Sequence, residues 1–344
     1  MVTAEKSRID CRHIDVLDGI RAVSVIIVLI FHFWQQTWIF PVIKTPWLAS
    51  VGITKIDFSN FATVGYLFVD MMVLISGFLL FLPLMRSIIL GEEMSSWKNY
   101  ARRRIARIVP SYYFAVLLLF FASALPTGAY ATTADALKDL FAHLTFTQTL
   151  WVNTYIATPL DVVLWTVAIE VWFYVLFPFV AEFIKGPRNK NRQSFTPAYG
   201  IFFIFAVFNI INYVYTENFV LKGNVYLAMR INQFPAFLGV YSIGMLGASA
   251  FVLIAKNCRR SRIFNAVNTL FSVCSILLIV YLINDCVATQ ERQVWQVTER
   301  SKLAFVFMTF IITTALSSKW YRWLFSNKFM RFLSGISYNL YIWH

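Results

Sequence analysis

Charge is scarce in this sequence. Only 14% of its 344 residues are Asp, Glu, Lys or Arg, while 59% are hydrophobic and mean hydropathy is +0.64; ordinary soluble domains carry about 25% charged residues. That shortage excludes a sizeable aqueous domain and makes lipid the main solvent of the chain. Cysteine is equally sparse. Cys11, Cys258, Cys274 and Cys286 show no CxxC or CxxH spacing, so neither a zinc site nor a disulfide framework is indicated and no metal is expected. No small-residue cleavage site follows the first apolar run, which therefore reads as a retained span rather than a signal peptide. Acidic residues are outnumbered, 17 against 30 basic ones, for a net charge of +13. A nucleic-acid partner would need those cations clustered on a polar domain, and there is none to carry them. Topology has to explain the charge.

What the chain does have is a succession of long apolar runs. A bilayer core about 30 Å thick needs roughly 20 apolar residues per helical crossing. Runs punctuated by polar breakers predict spans near 16–40, 60–85, 110–126, 162–184, 197–215, 230–255, 266–284, 302–318 and 332–344. The expected fold is all-α, a polytopic transmembrane helix bundle of about nine spans forming one domain over 1–344. With the N-terminus in the cytoplasm, the inner segments 1–15, 86–109, 185–196, 256–262 and 319–331 hold three, six, four, four and four Lys or Arg residues, 21 of the 30. Lys44, Lys55, Lys138, Lys222, Arg292 and Arg300 fall in the outer segments. This asymmetry obeys the positive-inside rule and points to a multi-pass protein of the plasma membrane. Segment 127–161 is the longest outer connection. Its stretch DALKDLFAHLTFTQTLW has helical spacing without the length to cross, which suits an interfacial or re-entrant helix. The last run ends at His344 about 13 residues in, so the chain reads as part of something longer. No inverted internal repeat is evident.

Ionisable residues at membrane depth cost several kcal/mol and so need partners or functions. Arg21 and His32 lie eleven residues apart in the first span; at 100° per residue they share one helix face, separated by a rise of about 16 Å. The bland alternative is that Arg21 snorkels to the inner headgroups and His32 bonds a neighbouring helix. In the fourth span Glu170 lies within LWTVAIEVWFY, with Trp165 and Trp172 around it. Reckoned from the outer end, it lies about 12 Å down, a depth at which it could meet His32 and orient the imidazole. Asp70 is a third buried acid, in YLFVDMMVLISGFLLFLPL, where Ser76 and Gly77 are small enough to admit a neighbouring helix or a slender ligand. Ser76 reads as a lining residue rather than a nucleophile. In YARRRIARIVPSYY, Arg104 and Arg107 share a face of a short helix; paired guanidiniums suit phosphate, although arginines after a span are also what topology demands. From these residues alone, an enzyme and a proton-coupled transporter or lipid-linked sugar translocator both remain open, since either needs buried Asp, Glu, His and Arg.

Taken in order, four segments resemble the membrane acyltransferase-3 family: LDGIRAVSVIIVLIFHF with Arg21 and His32, FVDMMVLISGFLLF ending its motif in Ser-Gly, RRRIARIVPSYY with Arg104 and Arg107 ahead of Pro110, and LWTVAIEVWFYVLFP with Trp165, Glu170 and Tyr174. A fifth, LSGISYNLYIWH, is similar to the family's closing motif. Met71 and Met72 stand where the family usually has phenylalanine, and the family's tenth span is missing. The resemblance tips the balance to an enzyme, an O-acyltransferase. It implies acyl-CoA, in the first place acetyl-CoA, as the cytoplasmic donor, and a hydroxyl of a carbohydrate or cell-envelope glycan as acceptor. Under it Arg104, Arg107 and Arg21 would hold the coenzyme phosphates, and His32 would act as general base or acyl relay. Glu170 would orient it, with Asp70, Ser76, Trp165 and Tyr174 lining the site. The acceptor, the acyl group and the oligomeric state are not legible.

Overall fold

The computed structural model describes residues 9–186, 197–222 and 226–344. The basic stretch 187–196, and residues 1–8 of the N-terminal segment, both assigned above to the inner side, lie outside them. Most described residues are helical, as expected, and there is almost no sheet among them. A short antiparallel pair is the exception, β1 (Val42–Lys44) against β2 (Lys55–Asp57), with Ile43 opposite Ile56.

Among the described residues seven helices are long and apolar enough to cross a membrane, or eight if a bent pair counts as one crossing, rather than nine. They are Val16–Thr37, Leu67–Leu90, Trp97–Ala124, Val162–Lys185, Pro197–Val220, Leu227–Asn257 and Arg262–Ala288. The bent pair explains the difference. The expected eighth and ninth spans are one helix, Arg292–Leu316, followed at 116° by the segment Lys319–Ile342. The helix opens with Arg292, Glu299, Arg300 and Lys302, charges that make its first half amphipathic. A second correction concerns the arginine segment. Trp97–Leu119 is a single helix, capped by the Ser96 hydroxyl accepting from the Asn99 N–H at 3.4 Å. The arginines, read above as a short helix of the inner segment ahead of residue 110, therefore occupy the first turns of one long helix. Pro110 lies inside it, as Pro83 and Pro178 lie inside Leu67–Leu90 and Trp165–Lys185; each removes one backbone donor from its helix.

The chain forms two compact units, one of residues 1–75 with 258–337, the other of 76–257 with 338–344. In the first, α1 (Val16–Thr37) packs on α2 (Lys319–Ser326) and on Arg292–Leu316. Gly19 permits the first contact: a Cβ there would stand 2.0 Å from the Phe325 carbonyl oxygen. Helices Arg262–Ala288 and Arg292–Leu316 form an antiparallel pair joined by Ser272, Thr314 and Tyr321, whose hydroxyls lie 2.6 and 3.0 Å from Ser272. Such hydroxyl contacts hold helices together where lipid offers no competing partner.

In the second unit, Asn209 and Asn212 of Pro197–Tyr215 reach Ser242 at 2.9 Å and the Ala236 carbonyl at 2.8 Å, fastening that helix to Phe234–Asn257. The rings of Phe173 and Tyr241 stack at 3.7 Å in the core. Segment 127–161 folds around the amphipathic helix Thr133–Leu144, which has too few residues to cross. Tyr112 and Tyr113 hydroxyls tie it down by donating to the carbonyls of His143 and Leu144 at 3.0 and 2.7 Å.

Candidate active site

The second unit brings together four of the residues singled out in the sequence. Ser76 follows the first turns of Leu67–Leu90, and its hydroxyl donates to Glu170 Oε1 at 2.6 Å. Gly77 beside it allows the backbone of Tyr241 to approach, since a Cβ would lie 2.9 Å from the Tyr241 carbonyl. The other oxygen of Glu170 accepts from the Tyr174 hydroxyl at 3.2 Å, one helical turn on. The face of the Tyr174 ring carries the Arg104 guanidinium, 4.8 Å from the ring centroid. Tyr100 flanks the same guanidinium at 5.7 Å and donates its hydroxyl to the Tyr174 carbonyl at 3.2 Å. Ser76, Glu170, Tyr174 and Arg104 thus form one continuous chain of contacts.

Arg104 ends that chain in a pocket of about 310 Å³ lined by Arg103, Arg107, Trp97, Tyr100 and Phe177 among others. Arg104 and Arg107 share a face because three residues make nearly one helical turn. Trp97, Tyr100 and Phe177 meet edge-on or tilted, at 5.5 to 5.8 Å. Three guanidiniums beside flat apolar walls can hold a polyanion that also carries an aromatic or aliphatic part.

The remaining site residues fall as follows. Arg21 and His32 share α1 and are partly exposed rather than enclosed; His32 Nδ1 lies 3.1 Å from Gln35 Oε1. Both belong to the first unit. So does Asp70, which is fully buried and paired with Arg300 at 3.3 Å. Sequence reasoning missed this partner because it placed Arg300 in an outer segment; in the structure Arg300 is 3% exposed within Arg292–Leu316. The signal was present, since an acid at membrane depth demands a cation. Trp165 opens its helix and packs on Phe237 at 5.8 Å, and the Trp172 indole N–H donates to the Phe146 carbonyl at 3.0 Å. These contacts hold the helix that carries Glu170.

A second ionisable cluster was not anticipated. On Thr133–Leu144, His143 Nδ1 sits 3.1 Å from Asp139 Oδ1, and both side chains are almost completely buried. Asp139 also accepts from Tyr130 at 2.8 Å and Thr158 at 2.7 Å. Nearby, burial raises the Asp161 carboxyl above its ordinary range, opposed by the Val163 N–H and the charges of His344 and His143. The i,i+4 Asp-His spacing was legible, but the segment lies outside the spans where buried charge was sought. Among the described residues no group of acids, histidines or cysteines could hold a metal ion.

A helical membrane protein whose half-buried carboxylate is linked to an arginine-lined pocket is the class that fold and site define. Residues 14–344 match the family model described as acyltransferase domain, and the chain belongs to that acyltransferase-3 family. It is 26% identical over 355 residues to a Staphylococcus aureus (strain COL) protein named "Putative O-acetyltransferase", covering 97% of this chain and 50% of that one. A protein of Acidianus two-tailed virus named "Putative acetyltransferase" is 25% identical over 73% of this chain and 65% of its own. The O-acetyltransferase OatA of S. aureus (strain NCTC 8325 / PS 47) is 28% identical over 54% of this chain and 28% of its own. The chain spans about half the length of the first of these relatives. No solved structure matches it significantly.

Proposed function

We propose that this chain is a single membrane O-acyltransferase domain, moving an acyl group, in the first place acetyl, from cytoplasmic acyl-CoA to a hydroxyl of a carbohydrate or cell-envelope glycan. The observation that carries this reading is the chain Ser76–Glu170–Tyr174–Arg104, which joins a half-buried carboxylate to an arginine-lined pocket in a member of an acyltransferase family. The acetyl group and the hydroxyl acceptor come from the relatives' names. A plasma-membrane location with the N-terminus in the cytoplasm comes from the charge asymmetry, which also puts the arginine segment on the inner side.

Arg104 and Arg107 hold the coenzyme phosphates, a role the same reading also gives to Arg21 of the first unit, and the thioester arm runs into the bundle. His32 in its neutral form takes the proton of the acceptor hydroxyl, whose oxygen attacks the thioester carbonyl. The carbon–sulfur bond breaks, and the departing thiolate takes that proton from the imidazolium. In the alternative order a His32 nitrogen attacks the thioester carbonyl, the coenzyme leaves as the thiol with the ring N–H proton, and the acceptor oxygen displaces the imidazole from the acyl carbon, the imidazole keeping the hydroxyl proton. Glu170, to which Ser76 and Tyr174 donate, is assigned the companion catalytic role, and Asp70, Ser76, Trp165 and Tyr174 are assigned lining roles.

The test uses purified protein in nanodiscs with radiolabelled acetyl-CoA and a glycan acceptor. His32→Ala is expected to lower transfer at least 1,000-fold, the scale on which a positioned acid–base or nucleophilic group acts, with an unchanged melting profile. Turnover within tenfold of wild type removes His32 from the mechanism. One observation favours a second reading. The buried Asp70–Arg300 pair is of the kind that proton-coupled transporters use; substrate-dependent proton flux in proteoliposomes, with no dependence on acyl-CoA, would establish that reading instead.

A further inference from the structure

Tyr174 is placed to do two separate jobs with two parts of one side chain. Its hydroxyl donates to Glu170 Oε2 at 3.2 Å, while its ring face seats the Arg104 guanidinium at 4.8 Å. The remaining oxygen of Glu170 is taken by Ser76 at 2.6 Å, so the orientation of the carboxylate is set by two hydroxyls, only one of which belongs to a side chain whose ring meets the pocket's cation. The Tyr174 backbone is held as well, by the Tyr100 hydroxyl at 3.2 Å. A cation over a phenol ring draws electron density from it and makes the hydroxyl a stronger donor; a hydrogen bond to a carboxylate does the reverse and enriches the ring that faces the cation. Each contact therefore strengthens the other, and by linkage whatever changes the charge balance at Arg104 changes the hold on Glu170.

We propose that Tyr174 is a positioning residue that couples occupation of the anion pocket at Arg104 to the orientation of the Glu170 carboxylate. Its ring serves donor binding and its hydroxyl serves the chemical step. The inference rests on the reading of Arg104 as a donor ligand and Glu170 as part of the catalytic group. An anionic donor settling on Arg103, Arg104 and Arg107 fixes the guanidinium over the ring, and the carboxylate is then locked by the paired hydroxyls of Ser76 and Tyr174. Without the donor the guanidinium has less to hold it, and the carboxylate is less tightly set. A purely structural tyrosine would not separate in this way, because losing its hydroxyl and losing its ring would affect the same quantity.

The test compares Tyr174→Phe with Tyr174→Leu in the full chain. For each, coenzyme A affinity is measured by calorimetry and kcat and KM with acetyl-CoA by radiolabel transfer. Tyr174→Phe keeps the ring, so coenzyme A affinity stays within twofold while kcat falls about tenfold. Tyr174→Leu loses both contacts, so affinity falls fivefold or more in addition. Wild-type kcat in Tyr174→Phe, or a loss of affinity in Tyr174→Phe equal to that in Tyr174→Leu, overturns the proposal. A second measurement does not depend on the donor. In melting-temperature cycles, Tyr174→Phe with Glu170→Gln and Tyr174→Leu with Arg104→Met are each expected to be non-additive, and additive behaviour in both overturns the coupling. Should wild-type protein bind no coenzyme A, the donor assignment fails by itself, and the cycles alone decide whether Tyr174 joins the two groups.

Discussion

Single residues carry the informative polarity in a chain this apolar, and Asp161 shows how. Its carboxyl lies just ahead of the helix that bears Glu170 and accepts from the Val163 N–H at 3.0 Å. Burial raises its pKa, with the Val163 N–H, His344 and His143 pulling the other way. A raised carboxyl means that the folded state keeps a proton the unfolded chain releases. The resulting stabilisation is full below the ordinary value of 3.8 and is lost as pH rises through the raised one, leaving the ionised form as a net cost above it. Asp161→Asn preserves the acceptor and removes the charge. Its melting temperature in detergent should exceed that of wild type at pH 7.5, with the advantage shrinking steadily toward pH 4.5. A deficit at pH 7.5 would show that the Val163 N–H and the two histidines outweigh burial, and an advantage independent of pH would show that the carboxyl's ionisation is not its source. At this scale the sequence was partly legible. Glu170, Arg104 and Tyr174 were identifiable as residues out of place or in motif, yet their connection through one phenol was not, because it depends on which face of the ring Arg104 meets. Arg300 was hidden for a different reason: the stretch before it, QERQVWQVTE, is of mixed polarity, so the apolar run reads as starting only after it.

Whole helices were easier to foresee than their ends. Apolar runs located every long helix, because a run of some 20 apolar residues has no other stable form in lipid. The start at Trp97 was obscured by four arginines in the first turns, which a hydropathy reading treats as a loop, although arginine is itself a good helix former. Packing between elements was the least legible, since it turns on single small residues. Gly19 and Gly335 make the point. Both lie inside helices with no unusual φ, but a Cβ at Gly19 would strike the Phe325 backbone at 2.0 Å, whereas nothing stands within 4 Å of one at Gly335. Gly19→Ala must displace α2 from α1 and should destabilise the protein by about 1–3 kcal/mol. Gly335→Ala should be neutral or stabilising by up to about 1 kcal/mol, the ordinary helix-propensity gain. Denaturation in mild detergent with stepwise SDS reads both. Equal effects from the two variants would mean that the close contact at Gly19 does not govern packing.

At the scale of the whole molecule, the distribution of basic residues and the number of crossings must agree. The charge pattern reckoned with nine spans, while among the described residues there are seven long apolar helices plus the bent pair. The two accounts share every crossing up to residue 288 and differ only in what Arg292–Leu316 and Lys319–Ile342 do. Cysteine accessibility resolves this in intact cells, using single cysteines introduced after replacement of the four native ones and a membrane-impermeant maleimide. Ser50→Cys, on the exposed connection between β1 and β2, should react from outside. Asp10→Cys and Ser95→Cys should react only after permeabilisation, since the proposed topology puts the N-terminus and the arginine helix on the inner side. Gln290→Cys and Lys328→Cys flank Arg292–Leu316, so a crossing helix puts the first outside and the second inside. If Gln290→Cys and Lys328→Cys react from the same side, that helix does not cross. The arginine pocket has its own stake in the result. It can take a cytoplasmic thioester only from the inner face, so labelling of Ser95→Cys in intact cells would remove acyl-CoA as its ligand whatever the chemistry at Glu170.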